Sequence, residues 1–107
     1  KLMASFVDCV RDGNIQLVRE HLSKEDLNIN MKDLTGLTAL HNSCLDAKIE
    51  IVKWLIARDD VNVNEIDRRE KTALHYACQE VHHDAVELLL TRSDLQINAK
   101  DDFVSNN

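Results

Sequence analysis

Asp33–Cys44 reads DLTGLTALHNSC, and Asp67–Cys78 reads DRREKTALHYAC. Asp, Thr, Ala, Leu, His and Cys return in the same order, from 33 to 67, an offset of 34 residues. The correspondence continues beyond the motif. At the same offset Val52 pairs with Val86, Leu55 with Leu89, Arg58 with Arg92, Asp60 with Asp94 and Asn64 with Asn98. A fixed period in this range marks stacked supersecondary units, each unable to bury its apolar face alone.

Working outward, the copy at 33–66 predicts a helix capped by Thr38 and running to about Asp46. A second helix from Lys48 to about Arg58 carries Ile49, Ile51, Val52, Trp54, Leu55 and Ile56, an apolar face that needs neighbours on more than one side. The segment DDVNVNEIDRRE alternates briefly and ends in turn formers, which predicts a short extended hairpin. The copy at 67–100 repeats the scheme, with helices from Thr72 to about Glu80 and from about His82 to Arg92. A degenerate copy occupies 1–32. Leu2–Arg11 reads as its first helix, Gly13 as a left-handed stop and Asn14 as the cap of a second helix to about Ser23. Glu20 and His21 stand where Trp54 and Leu55 stand later, as expected of a terminal unit with one face in water. Residues 101–107 read as the start of a further hairpin or a tail. The fold class expected is therefore an all-α solenoid of stacked two-helix units joined by short hairpins, a single domain over 1–107.

Composition narrows the function. The chain has 107 residues, 44% apolar and 30% charged, enough for one modest core that must be aliphatic because aromatics are scarce. A formal charge of −6 argues against wholesale binding to nucleic acid or anionic lipid. No apolar run approaches the ~20 residues that span a bilayer, so direct membrane insertion is not expected. The chain opens on Lys1 rather than Met, which suits an excised fragment or a processed product. Three cysteines give no disulfide framework. Cys44 and Cys78 share a register position and Cys9 lies one place earlier, so all three are expected to be reduced structural thiols in cytosol or nucleus.

The TALH motif followed by a small Cys, a tight turn, EIVKWLI or DAVELLL, and then VNVN or LQIN before Asp resembles the ankyrin repeat. The resemblance covers essentially the whole chain, strongly over 33–100 and weakly over 1–32. It implies stacked antiparallel helix pairs with projecting hairpins set nearly at right angles, forming a curved slab. Ala39 and Ala73 replace the family's proline. Gly36 keeps the hairpin glycine, which becomes Glu70, and Gly13 keeps the interhelix glycine, which becomes Ala47 and Val81. If those turns stay left-handed, the β-branched Val81 carries strain of about 1 kcal/mol or more.

The resemblance also implies a structural role for His41 and His75, stitching helix starts to neighbouring hairpin backbone, and a non-catalytic protein-binding function as scaffold or adaptor. The alternative is an architectural section of a longer array with no ligand of its own. His75, Cys78, His82 and His83 could be imagined as a metal set, but the turn near 81 places the last two on another helix, and neither metal nor cofactor is expected. No phosphate-binding glycine loop, nucleophile elbow or HExxH occurs. Asp59/Asp60 and Asp101/Asp102 read as solvated loop charges.

Partner contacts in this family fall on hairpin tips and the concave helix face. Here those are Leu34, Thr35 and Leu37 in one tip and Arg68, Arg69 and Lys71 in the next. The helix positions are Arg11 and Asp12, then Asn42, Leu45 and Asp46, then Tyr76, Gln79 and Glu80. The basic tip suggests a protein partner with an acidic segment. The unfinished C-terminal face suggests self-association. The resemblance further marks Asn30, Asn64 and Asn98 as candidates for hydroxylation, with Leu22 and Leu90 eight residues before two of them.

Overall fold

The computed structural model describes residues 5–97. Among these residues six helices form three pairs: α1 (Phe6–Asp12) with α2 (Ile15–Leu22), α3 (Ala39–Leu45) with α4 (Ile49–Ile56), and α5 (Ala73–Gln79) with α6 (His83–Leu90). The first helices stack as a row, α1 on α3 and α3 on α5, while α4 packs on α6 in a second row. Among the described residues no helix is long and apolar enough to cross a membrane.

The helices α1, α2, α3 and α5 are each fixed at their start by a side-chain cap, whereas α4 and α6 begin without one. Thr38 Oγ1 accepts from the His41 N–H at 3.2 Å, and His41 Nδ1 accepts from the Thr38 N–H at 3.1 Å. Thr72 and His75 repeat this reciprocal cap at 3.3 and 2.9 Å. Two otherwise orphaned donors are satisfied without the missing proline. Asn14 caps α2 as expected, its Oδ1 accepting from the Leu17 N–H at 3.2 Å. In the first pair the cap is Ser5, not the residue 34 before Thr38, which is Ala4. One residue has been lost between cap and stop, so the pair keeps its cap while departing from the 34-residue register. Residues 2–4 of the expected first helix lie outside the described residues.

The stops between the two helices of each pair are left-handed, at Gly13 (φ 72°), Ala47 (φ 57°) and Val81 (φ 59°), and the tips are left-handed at Gly36 (φ 85°) and Glu70 (φ 63°). The strain anticipated for Val81 is thus present, and its side chain is 63% exposed. The core is aliphatic, as composition requires. Val10, Val18, Leu40, Cys44, Ile51, Val52, Leu55, Leu74, Ala77, Ala85 and Leu89 are buried, and among the described residues Phe6 is the largest side chain that is fully buried. Only Val18 of α2 is fully covered, in keeping with its polar Glu20 and half-buried His21.

The expected hairpins close as turns. Among the described residues no strand forms; Asp33 N donates to Leu37 O and Asp67 N to Lys71 O, at 2.9 and 3.0 Å. The ladder between pairs is carried by side chains. Arg58 holds Asp60 through two parallel bonds and donates to Leu22 O at 2.9 Å, capping the end of α2. Arg92 holds Asp94 likewise and donates to Ile56 O and Arg58 O, both at 3.0 Å, capping α4. Such forked, charge-assisted contacts satisfy carbonyls that helix ends leave open.

Candidate functional site

The tip turns rest on their aspartates. Asp33 Oδ1 accepts from the N–H groups of Thr35 and Leu37 at 2.8 and 3.0 Å, and Asp67 Oδ1 from those of Arg69 and Lys71, both at 2.9 Å. Burial pushes both carboxyls up, but these bonds and their side-chain partners outweigh it and hold both below the usual carboxylate range. The tips lie against each other. A Cβ on Gly36 would stand 3.0 Å from the Arg68 backbone nitrogen, which is why glycine is needed there.

The predicted contact residues separate into three groups. Leu34 is 88% exposed, and Asp12, Thr35, Asp46, Arg68, Arg69, Gln79 and Glu80 are exposed or partly so, with Leu37, Leu45 and Lys71 half-buried. Arg11 is exposed but occupied, bridging Asp8 at 2.8 Å and Asp33 at 3.1 Å. It joins Leu34 and Thr35 along an open groove of about 470 Å³ beside α1. Asn42 and Tyr76, expected on the contact surface, are instead buried, at 4% and 7% exposure. Asn42 Nδ2 donates to Thr38 O at 3.1 Å, and the Tyr76 hydroxyl donates to Asp67 Oδ2. Both sit four residues after a threonine cap, on the helix face that turns towards the tip, and the polar atoms are consumed there.

His41 is 1% exposed. With Nδ1 accepting from Thr38, the proton lies on Nε2, which donates to Lys71 O at 2.8 Å and ties the middle pair to the next tip. Burial lowers its pKa more than that bond and Asp67 raise it, so it is held neutral. Its imidazole is a structural donor with no free nitrogen for acid–base work. Among the described residues no group of three or more His, Cys, Asp or Glu side chains could hold a metal ion; His82 Nε2 lies 3.0 Å from Leu45 O.

The thiols differ from one another. Cys9 and Cys44 are buried, whereas Cys78 is exposed. Cys44 is buried on α3, against which α5 of the following pair packs, and Cys78, in the same position of the last described pair, is exposed. Sequence register could not separate them, because the difference comes from the neighbour.

The loop asparagines also act between pairs rather than within one loop. Asn30 Nδ2 donates to Asp60 O at 2.9 Å while its Oδ1 accepts from the Asn62 N–H at 2.7 Å. Asn64 makes the same pair of bonds to Asp94 O and the Gln96 N–H. A primary amide carries donor and acceptor on one fork, which matches a carbonyl and an N–H two residues apart in the adjacent loop. Asn98 lies outside the described residues.

Three helix pairs, two of them opened by reciprocal threonine–histidine caps and all joined by an asparagine ladder, are what the family comparison also finds: a model for ankyrin repeats in three copies matches residues 6–101. The chain belongs to the ankyrin repeat family. A comparison with curated proteins found no match. Ankyrin repeats are in general protein-interaction modules and are typically non-catalytic.

In this ankyrin stack the distribution of charge partners singles out one tip. Arg11, Lys32, Lys48, Lys53, Arg58 and Arg92 each face a carboxylate within 4.0 Å. Arg19 lies over the Trp54 ring, 5.6 Å from its centroid, so the single tryptophan is occupied at the half-buried edge of the core. Among the described residues Lys24, Arg68, Arg69 and Lys71 make no ion pair, and the last three cluster within the five residues that also hold Asp67 and Glu70.

Proposed function

We propose that this ankyrin module is a non-catalytic adaptor that binds an acidic segment of a protein partner across its two tips. Arg68, Arg69 and Lys71 meet carboxylates, and Leu34 receives an apolar side chain, with Leu37 in the same tip. The observation that supports this most directly is the cluster of cations at 68, 69 and 71, without an ion pair among the described residues, in a chain of net charge −6 where most cations of the stack face a carboxylate. An unpaired, exposed guanidinium is available for a forked bond to a partner carboxylate, and it steers encounter over several ångströms. The buried thiols suit a reducing compartment, cytosol or nucleus.

The test is stopped-flow association of a fluorescein-labelled acidic peptide, ten glutamates flanking one leucine, with the wild-type chain and with Arg68→Glu/Arg69→Glu. The double reversal should slow association on the order of tenfold to a hundredfold at low salt and flatten its salt dependence. Unfolding temperature should hold, since the replaced groups make no ion pair. Unchanged kinetics would sink the assignment of this surface.

A second reading, a section that stacks on further repeats or on another copy, draws on one contrast. Cys44 and Ile56 of the middle pair are buried or half-buried, whereas Cys78 and Leu90, in the same positions of the last described pair, are exposed, Leu90 at 52%. Sedimentation at rising concentration, with and without the peptide, separates the two readings.

A further inference from the structure

We infer that Tyr76 is a positioning residue for the basic tip, keeping Arg68, Arg69 and Lys71 free by satisfying Asp67 with a neutral donor. This rests on the binding surface proposed above. The two tips are built alike at one carboxylate oxygen and differently at the other. Asp33 and Asp67 each use Oδ1 to hold two backbone N–H groups of their own turn. At Oδ2, Asp33 takes a cation, Arg11 Nη2 at 3.1 Å, whereas Asp67 takes the hydroxyl of Tyr76.

The register explains the exchange. Counted back from the left-handed stop, Leu45 stands where Arg11 stands, and counted on from the cap, Cys44 does; neither carries a cation, and thirty-four residues before Tyr76 stands Asn42, whose amide is spent on Thr38 O. No cation therefore reaches Asp67 from the preceding helix. Asp67 is 7% exposed and needs a donor on Oδ2, since a buried carboxylate oxygen left unpaired is costly. Without the tyrosine hydroxyl, the nearest cations in sequence are those of its own five-residue turn. One of them would fold back onto Asp67, and the tip would present one fewer positive charge. The Tyr76 ring is itself held edge-on to His41, with centroids 6.0 Å apart at 79°, so the hydroxyl is aimed by packing on the element that ties the tip to the middle pair.

The experiment is a four-variant cycle read by the same acidic peptide: wild type, Tyr76→Phe, Asp67→Asn, and both together. Tyr76→Phe keeps the ring and removes only the donor. With Asp67 in place it should slow association about threefold to tenfold and lower the salt dependence by the equivalent of about one charge. In the Asp67→Asn background the carboxylate charge is gone, no cation is recruited, and the tyrosine and phenylalanine forms should associate at the same rate. Equal slowing in both backgrounds would mean that the hydroxyl acts through packing alone, and no slowing in either would mean that Asp67 captures no cation; each overturns the inference.

If Arg68→Glu/Arg69→Glu also leaves binding intact, the surface itself is wrong and the inference falls with it. If the double reversal abolishes binding while the cycle shows no coupling, only the role of Tyr76 is lost. Circular dichroism checks each variant, and a Tyr76→Phe chain that fails to fold counts against the inference, because the hydroxyl would then be a folding element. In the unsubstituted chain the same bond should appear in NMR spectra as a slowly exchanging hydroxyl proton on the Tyr76 ring, and its absence would overturn the assignment independently of binding.

Discussion

Replacing Val81 by glycine should stabilise the stack. Val81 sits at φ 59°, where a β-branched side chain collides with its own backbone, at a cost of about 1–2 kcal/mol. The conformation is imposed by the turn, since the Val81 N–H donates to Cys78 O at 3.1 Å and the His82 N–H to Ala77 O at 2.9 Å, closing the carbonyls at the end of α5. Glycine removes the collision. Against this stand the greater freedom of glycine in the unfolded chain, about 0.5–1 kcal/mol, and the loss of a side chain that is already 63% exposed. The balance is a gain of about 0.5–1 kcal/mol, which for a domain of this size raises the melting temperature by roughly 2–6 °C. Ala47→Gly, at φ 57° but without branching, should come out near zero. Gly36→Ala should lose more than about 1 kcal/mol, because its new methyl also meets the Arg68 backbone nitrogen at 3.0 Å. Urea and thermal unfolding of the three variants read this order directly. A Val81→Gly chain no more stable than wild type, or an Ala47→Gly gain larger than that of Val81→Gly, would show that the turn is not strained as argued.

Two further outcomes follow from buried groups. His41 is held neutral by burial, so its folded pKa lies below the unfolded value of about 6.5, and the stability it contributes is complete above that pH and declines as pH falls from there towards the folded value. Melting temperature should therefore drop between about pH 7 and 5, and His41→Gln should flatten that slope; a parallel slope would assign the acid sensitivity elsewhere. Native thiol titration should find one accessible cysteine, Cys78, with Cys9 and Cys44 reacting only on unfolding, since burial pushes Cys44 up to about 12. Two or more native thiols would mean that the stack opens at a buried one.

What can be read from the sequence is what local chemistry decides. Thr38, Thr72 and Asn14 announce their caps and Gly13 its stop, because a cap is settled within four residues. The register misplaces the first cap by one residue, since a fixed offset of 34 cannot show a deletion inside a degenerate copy, although a Ser three residues before an acidic Asp8 is a usable signal. Legibility ends where a neighbour decides. Tyr76 and Asn42 look like variable surface positions in a linear comparison, yet the turn of α3 and α5 points both at backbone or carboxylate inside the stack. Cys78 matches Cys44 in sequence and differs in cover. Asn30 and Asn64 reach a loop 30 residues away, a pairing that a residue's own segment cannot announce.

The polar residues shared by the copies are the ones with no chemistry left to offer. His41 has both ring nitrogens bonded, Asn30 and Asn64 use both ends of the amide, and Arg58 and Arg92 divide their guanidinium groups between an aspartate and the carbonyls of the preceding helix pair. A stack whose units cannot stand alone must spend its recurring polar groups on its own interfaces. In the binding mode proposed above, specificity rests on residues that the stack does not use, the exposed Leu34 and Arg68 and Arg69, which make no ion pair among the described residues. The same logic explains why Tyr76 matters despite being buried. By giving Asp67 a donor that carries no charge, it leaves the tip's cations outside the ladder, so the residue that departs from the repeat inside the stack sets what the repeat can present outside it.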